Sequence, residues 1–255
     1  MKVMLEAGNV KKVYGQKGHI YTALKDINLE IKEGEFVGIM GPSGSGKTTL
    51  LNILSTIDQA TSGSIRIDGN DIGKMKEEQL TSFRREKLGF IFQDYNLLDT
   101  LTIEENIVLP LALSKVKAKE IDRRVKEIAG KFGIEDILSK FPYQVSGGQK
   151  QRAAASRAII ANPSLIFADE PTGALDSKSA TALLQSLSQL NVKDHATIMM
   201  VTHDAFAASF CSRVLFIKDG VIFTELVKGE TSRQEYFQKI LDVLSALGGG
   251  KGDLI

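Results

Sequence analysis

Four short runs of nearly continuous apolar residues stand out along the chain, within Glu35–Met40, Leu88–Gln93, Ser164–Glu170 and Ala196–His203. Runs of this length, rich in Ile, Val, Phe and Met, predict strands buried on both faces, as in a parallel sheet covered by helices. Val3–Val13 and Tyr21–Ile31 instead alternate apolar and polar positions, with Gly15, Gly18 and Gly34 as turn residues between and after them. They predict an antiparallel sheet leading into the first buried strand. Ser62–Gly69 adds a short strand between tight turns.

Helical patterning fills the intervals. Helices are predicted over Thr48–Ser55, Lys76–Lys87, Lys115–Phe132 (broken at Gly133), Ile134–Lys140 (ending before Pro142), Ser146 to about Ala161, and Ser177–Leu190. Asp94–Leu113 differs in character. Tyr95, Leu97, Leu98, Leu101, Ile103, Ile107, Val108 and Leu109 crowd together there, more than one short helix can bury. Residues 94–161 therefore read as a helical lobe inserted in an α/β core. Within it, Tyr95, Leu97, Leu98 and Leu101 are expected to wall a groove that receives a partner's helix; the alternative is that they fill the lobe's own core. Tyr236, Phe237, Ile240, Leu241, Leu244 and Leu247 form one late helical stripe, stopped by Gly248-Gly249-Gly250. Its expected role is packing on the body of the same subunit, ahead of a dimer or partner contact. The division expected is residues 1–228 as the main domain and 229–255 as an amphipathic helix and tail.

Candidate chemistry begins where the first buried strand ends. Gly41-Pro42-Ser43-Gly44-Ser45-Gly46-Lys47-Thr48-Thr49 fits the phosphate-binding pattern G-x-x-x-x-G-K-[ST], between a strand and a helix as that pattern requires. Glycines let backbone N–H groups wrap a phosphate chain, and the following helix adds the positive end of its dipole. Lys47 is expected on the β- and γ-phosphates and the Thr48 hydroxyl on Mg²⁺. Two acids, Asp169 and Glu170, close the third buried strand; Asp169 suits the metal shell and Glu170 the base that orients water. His203 closes the fourth, at the edge where open α/β sheets bind ligands. Gln93 ends the second, either touching Mg²⁺ or a water or capping the strand. Tyr14 offers an adenine ring a flat partner, or is a hairpin-edge tyrosine. Ser146-Gly147-Gly148-Gln149 opens a helix with a good N-cap and permits close backbone approach.

Composition narrows the classes. With 32 basic and 31 acidic residues the formal net charge is +1, which argues against a general nucleic-acid or membrane-surface binder. The single cysteine, Cys211, forms no intramolecular disulfide and reads as a small buried hydrophobe. Met1–Glu6 lacks the apolar run of a signal peptide, and no apolar stretch is long enough to span a bilayer, so a membrane role is expected to come through a partner.

Taken in order, these residues resemble the nucleotide-binding subunits of ABC transporters over essentially Val3–Val227: Tyr14 as adenine-stacking aromatic, Gly41–Thr48 as phosphate loop, Gln93 as Q-loop, Ser146–Gln149 as signature, Leu165–Glu170 as acidic strand with catalytic glutamate, Gly173–Asp176 as D-loop and His203 as switch histidine. Val145 departs from the usual leucine before the signature, conservatively. The resemblance implies an α/β P-loop NTPase with a RecA-like core, an antiparallel β-subdomain and an inserted helical subdomain. It also implies ATP and Mg²⁺ as cofactors, and a second copy whose site is completed head-to-tail by Ser146–Gln149. Thr56-Ile57-Asp58, Phe90–Leu98, Asn106–Leu111 and Pro171–Asp176 further resemble the MacB/lipoprotein-release branch, within it Bce-type proteins of Gram-positive bacteria. That implies a peripheral position on the cytoplasmic face of the membrane through a permease, resistance to cell-wall-directed peptide antibiotics, and signalling through a sensor kinase. Two other functions compete: a regulatory ATPase signalling through a permease-like partner without export, and a soluble ABC ATPase acting on nucleic acid or ribosomes. The coiled-coil insertion or fused second domain typical of the latter is missing from this sequence.

Overall fold

A computed structural model describes residues 2–15 and 19–248. The alternating segments pair as β1 (Val3–Tyr14) and β2 (Tyr21–Lys32), from which the chain enters β3 (Phe36–Met40) and α1 (Lys47–Leu54). A hairpin follows, β4 (Ser62–Ile67) and β5 (Asn70–Asp71), then α2 (Glu77–Lys87) and β6 (Leu88–Ile91). Three helices come next: α3 (Ile103–Leu113), α4 (Ala118–Phe132) and α5 (Gly147–Ile159). The chain then returns through β7 (Leu165–Asp169), α6 (Ser177–Asp194), β8 (Ile198–Val201) and α7 (Ala205–Ala208), and closes with β9 (Arg213–Lys218), β10 (Val221–Val227) and α8 (Arg233–Gly248).

The strands form two sheets. One is four-stranded and antiparallel in the order β2-β1-β4-β5; the other is six-stranded in the order β10-β9-β3-β8-β7-β6. In the larger sheet β9, β3, β8, β7 and β6 run parallel and β10 is an antiparallel edge. The period of two within the apolar runs sorts their residues between two cores. Phe36, Met40, Ile166, Ala168, Ile198 and Met200 face α3–α6 and α8. Val37, Ile39, Leu165, Phe167, Met199 and Val201 face α1 and the antiparallel sheet. Burial on both sides explains why these strands read as unbroken apolar runs. Cys211 sits in the first core with its thiol pushed up by burial, and a Cβ added at Gly38 would stand 3.1 Å from its sulfur.

Local expectations differ from the structure in three places. The strand Ser62–Gly69 stops at Ile67, because Asp68 (φ 49°) and Gly69 (φ 77°) take the left-handed conformations of a tight hairpin turn. Lys115 (φ 55°) delays the charged helix to Ala118. Ile134–Lys140 holds a single 3₁₀ turn, Glu135–Ile137, instead of a helix. There the carbonyls of Leu138 and Lys140 accept the N–H groups of Glu104 and Ile103, tying the segment to α3 while Ile134 and Ile137 fill the core.

The cluster after Gln93 divides between the two expectations for it. Leu97 is half-buried against the helical core, Tyr95 and Leu101 are half-buried, and Leu98 is 49% exposed. Buried Asn106 shapes this segment: its amide donates to the carbonyls of Leu98, Leu101 and Thr102, and its oxygen accepts the Leu98 N–H. The late stripe packs on its own subunit, with Tyr236, Ile240 and Leu247 buried. Arg233 lies 4.4 Å from the Phe210 ring centre, which ties α8 to the segment after α7. Of the expected helix stop, Gly249, Gly250 and the tail to 255 lie outside the described residues, as does Gly18.

Tyr236 is the largest side chain sealed in this way, and its hydroxyl donates to the Leu226 carbonyl at 2.8 Å. Tyr236→Phe should lower stability by about 1 kcal/mol, the net value of one hydrogen bond. Tyr236→Ala should cost about 3–5 kcal/mol through the cavity it leaves. Urea midpoints at an unchanged slope check both.

Candidate active site

Four parallel neighbours, β3, β8, β7 and β6, deliver their carboxyl ends to one edge of the sheet. Each end carries expected chemistry: Gly41 after β3, His203 after β8, Glu170 after Asp169 of β7, and Gln93 after β6. The backbone ladder continues past the strands, with Thr202 N–H bonded to Ile39 O (3.1 Å) and Glu170 N–H to Val201 O (2.9 Å). The acids and the histidine are thus fixed relative to the loop by main chain.

The loop itself needs its glycines. Gly41 has φ 154°, and a Cβ there would lie 2.0 Å from Ile217 O; Gly46 has φ 103°, and a Cβ would lie 2.7 Å from Ala23 O. Gly46 is the N-cap of α1, so the loop's last turn runs straight into the positive end of that helix. The Lys47 ammonium donates to the carbonyls of Gly41 and Pro42, each at 2.9 Å. Burial lowers its pKa, and the carboxylates of Glu170 and Asp169 work the other way. Pro42, Ser43, Gly44 and Thr48 are exposed at this edge, Thr49 is half-buried, and the hydroxyl of buried Ser45 has no hydrogen-bond partner.

Asp169 is half-buried. Burial first, and the Glu170 charge second, push its carboxyl up, with Lys47 offsetting them. Its Oδ1 is buried without a partner. A carboxylate oxygen of this kind, near the loop that carries the exposed Thr48 hydroxyl, fits a hard dication, so the residues present suit Mg²⁺. Glu170 adopts φ 48°, a left-handed conformation that costs of order 1–3 kcal/mol in a residue with a side chain. Its Oε2 lies 2.6 Å from His203 Nδ1, which brings the carboxylate against an imidazole whose side chain is 72% exposed. Gln93 is exposed, and its amide is close enough to Gly173 that a Cβ there would meet its Nε2 at 3.2 Å.

Tyr14 stands at the end of β1 with its hydroxyl on Asp58 Oδ2 (2.8 Å) and the Lys12 ammonium 4.7 Å from its ring centre. Sequence reasoning passed over Tyr21, its cross-strand partner, whose hydroxyl donates to Gly44 O at 3.3 Å. Tyr21 thus touches the loop directly, while Tyr14, opposite it in the antiparallel sheet, is tied to Asp58 beyond α1. Ser146–Gln149 lie elsewhere. Ser146 caps α5, accepting the Gln149 N–H at 3.3 Å while Gln149 Oε1 accepts the Ser146 N–H at 2.9 Å. Their neighbours are Tyr95 and Ser179, whereas the phosphate loop touches Ala23, Ile217 and Tyr21. The chain does not fold its own Ser-Gly-Gly-Gln onto its own loop.

A phosphate loop, an acid pair and a histidine on adjacent parallel strand ends define a P-loop ATPase. Residues 24–173 match the ABC transporter family model. The chain is 57% identical, over 98% of its length and 99% of the relative's, to the bacitracin export ATP-binding protein BceA of Halalkalibacterium halodurans. It is 55% identical to the ABC transporter ATP-binding protein YxdL of Bacillus subtilis, over 100% of this chain and 98% of that one. Among solved structures, the dimeric post-hydrolysis state of the ATP-binding cassette MJ0796 bound to ADP and Pi superimposes with a TM-score of 0.81 at 43% identity, covering 88% of this chain and 98% of that chain. The chain belongs to the ABC transporter family, as an ATP-binding, ATP-hydrolysing subunit. Among the described residues no helix is long and apolar enough to cross a membrane.

Because the Lys47 charge meets ground-state phosphates as well as the transition state, Lys47→Ala should weaken nucleotide binding at least about tenfold, a hydrogen bond to a charged group being worth about 1.5–3 kcal/mol. Hydrolysis should fall with it. Titration with a fluorescent ATP analogue checks this; unchanged affinity with reduced turnover would move Lys47 off the ground-state phosphates.

Proposed function

We propose that this protein hydrolyses ATP to drive a permease that confers resistance to cell-wall-directed peptide antibiotics such as bacitracin. The observation that carries the ATPase chemistry is the Glu170–His203 pair beside Lys47 at one sheet edge. The antibiotic rests on the resemblance to a bacitracin export subunit along nearly the whole chain. The regulatory and nucleic-acid alternatives have no comparable support.

In this reading Lys47, the loop amides and Thr49 bind the phosphates of ATP, with Tyr14 against the adenine. Thr48, Asp169 and Gln93 would hold Mg²⁺, which neutralises charge on the β- and γ-phosphates when bound. Glu170 orients and polarises the attacking water, taking its proton as ATP and water become ADP and phosphate. The close contact of His203 with Glu170 gives the histidine a second role. A γ-phosphate draws the imidazole away as a better acceptor and frees the carboxylate for water. His203 and Gln93 then sense the γ-phosphate from neighbouring strand ends. Ser146–Gln149, remote from their own loop, complete the site of a second copy in a two-fold, head-to-tail dimer. Residues 1–228 form the ATPase, with 94–161 as its inserted helical subdomain, and 229–255 a helix and tail. The subunit works peripherally at the cytoplasmic membrane face, with a sensor kinase reached through the permease.

Glu170→Gln should leave ATP affinity intact and cut turnover about 10²–10⁴-fold, the range for loss of a general base. It should also trap an ATP-bound dimer on size-exclusion, and near-normal turnover would remove Glu170 as the base. For the permease, Leu98 is the clean probe of the patch with Tyr95, Leu97 and Leu101, since Leu97 also serves the core. Leu98→Asp should change stability by no more than about 0.5 kcal/mol, as exposed substitutions do, yet lose co-purification with the co-expressed permease. Retained co-purification would move the docking surface elsewhere.

A further inference from the structure

Gln151 lies in α5, fully buried beside Ala153, Ala154 and Ala155. A polar side chain on such a face is costly unless it is bonded. Its amide nitrogen donates to Phe92 O (3.0 Å) and to Pro171 O (2.7 Å). Only the nitrogen end can serve two carbonyls, so these bonds fix the orientation of the amide. Its Oε1 points into the interior with no partner, a further cost that its two donated bonds offset.

The two acceptors are not arbitrary. Phe92 immediately precedes Gln93, and Pro171 immediately follows Glu170. One buried amide therefore clasps the main chain beside the proposed γ-phosphate sensor to the main chain beside the proposed base. Beyond Gln93, Arg157 of the same helix donates to Tyr95 O (3.0 Å) and Asn96 O (2.6 Å). Those residues have φ 60° and 50°, consecutive left-handed conformations that do not persist without outside support. Gln93 is thus gripped by α5 through the backbone on both sides while its own side chain stays exposed. The same helix begins at the Ser146 cap.

We propose that Gln151 is a positioning residue for hydrolysis. It sets the spacing between Gln93 and Glu170 and makes that spacing follow the seating of the helix that presents Ser146–Gln149 to a second copy. The inference rests on the ATPase reading above. A loosened clasp leaves nucleotide binding, which belongs to the β3–α1 loop, untouched. It lets the base and the sensor drift, and displacements near 1 Å cost on the order of 10²-fold in rate.

The test uses the full-length chain, with ATP turnover normalised to the fraction that binds a fluorescent ATP analogue. Gln151→Met keeps the length and removes both donated bonds; normalised kcat should fall by about 10- to 100-fold while the dissociation constant for the analogue stays within about twofold. Gln151→Glu donates only when protonated, so its kcat relative to wild type should climb as pH falls from about 8.5 to about 6, a trend that packing alone does not produce. A normalised kcat within about twofold of wild type in Gln151→Met overturns the proposal. So does a loss that disappears on normalisation, a flat pH ratio for Gln151→Glu, or failure of both variants to fold, which would make the clasp a stability element. If wild type itself does not hydrolyse ATP, the ATPase reading falls instead, which is a separate outcome.

Discussion

Two carboxylates and one ammonium are drawn out of water at a single sheet edge, and their mutual charge balance governs the rest of the site. Asp169 and Glu170 repel, Lys47 partly compensates, and burial works against the charged forms of Asp169 and Lys47. Such a cluster is stable only if held by something stiffer than side chains. The parallel sheet provides that stiffness for the two acids, which stand at or next to the end of β7 with the hydrogen-bond ladder continuing to Glu170, while Lys47 is held by the carbonyls of Gly41 and Pro42 just past β3. The polyphosphate and dication of the proposed reaction are the complementary charges for this arrangement. Affinity and chemistry then draw on the same electrostatic imbalance.

Stiffness also explains where strained backbone accumulates. Glu170, Tyr95 and Asn96 all sit at positive φ without being glycine, and all lie just beyond the ends of β7 or β6. Each is held by atoms from another element: Val201 O for Glu170, the Arg157 guanidinium for Tyr95 and Asn96. Strain placed at the rim of a rigid scaffold persists because the scaffold over-determines it. In a protein whose proposed work joins two copies head-to-tail around ATP, such segments lie where the site is completed.

Much of this was legible in the sequence because its signals were local. The buried strands announced themselves through apolar runs, the phosphate loop through a spacing with a mechanical reason, and the acids and histidine through their places just after those runs. What escaped depended on contacts between distant segments. Gln151 is 59 residues from Phe92 and looks like any polar residue in a helix. Tyr21 became notable only once the fold brought its hydroxyl to Gly44 of the loop. Ile134–Lys140 favoured a helix locally, yet its carbonyls were claimed by the start of α3. The leucines after Gln93 could be core or surface by pattern, and the fold uses them as both.

The burial of Cys211 has a practical side. It is the chain's sole thiol, sealed against Gly38 beneath the parallel sheet with its ionisation suppressed. Maleimides and spin labels react with exposed thiolates, so the natural protein is in effect a cysteine-free background while folded. A cysteine introduced at an exposed position such as Lys178 would carry the label alone. Distances between two such labels, one on each copy, would follow closure during a catalytic cycle without any substitution in the hydrophobic interior.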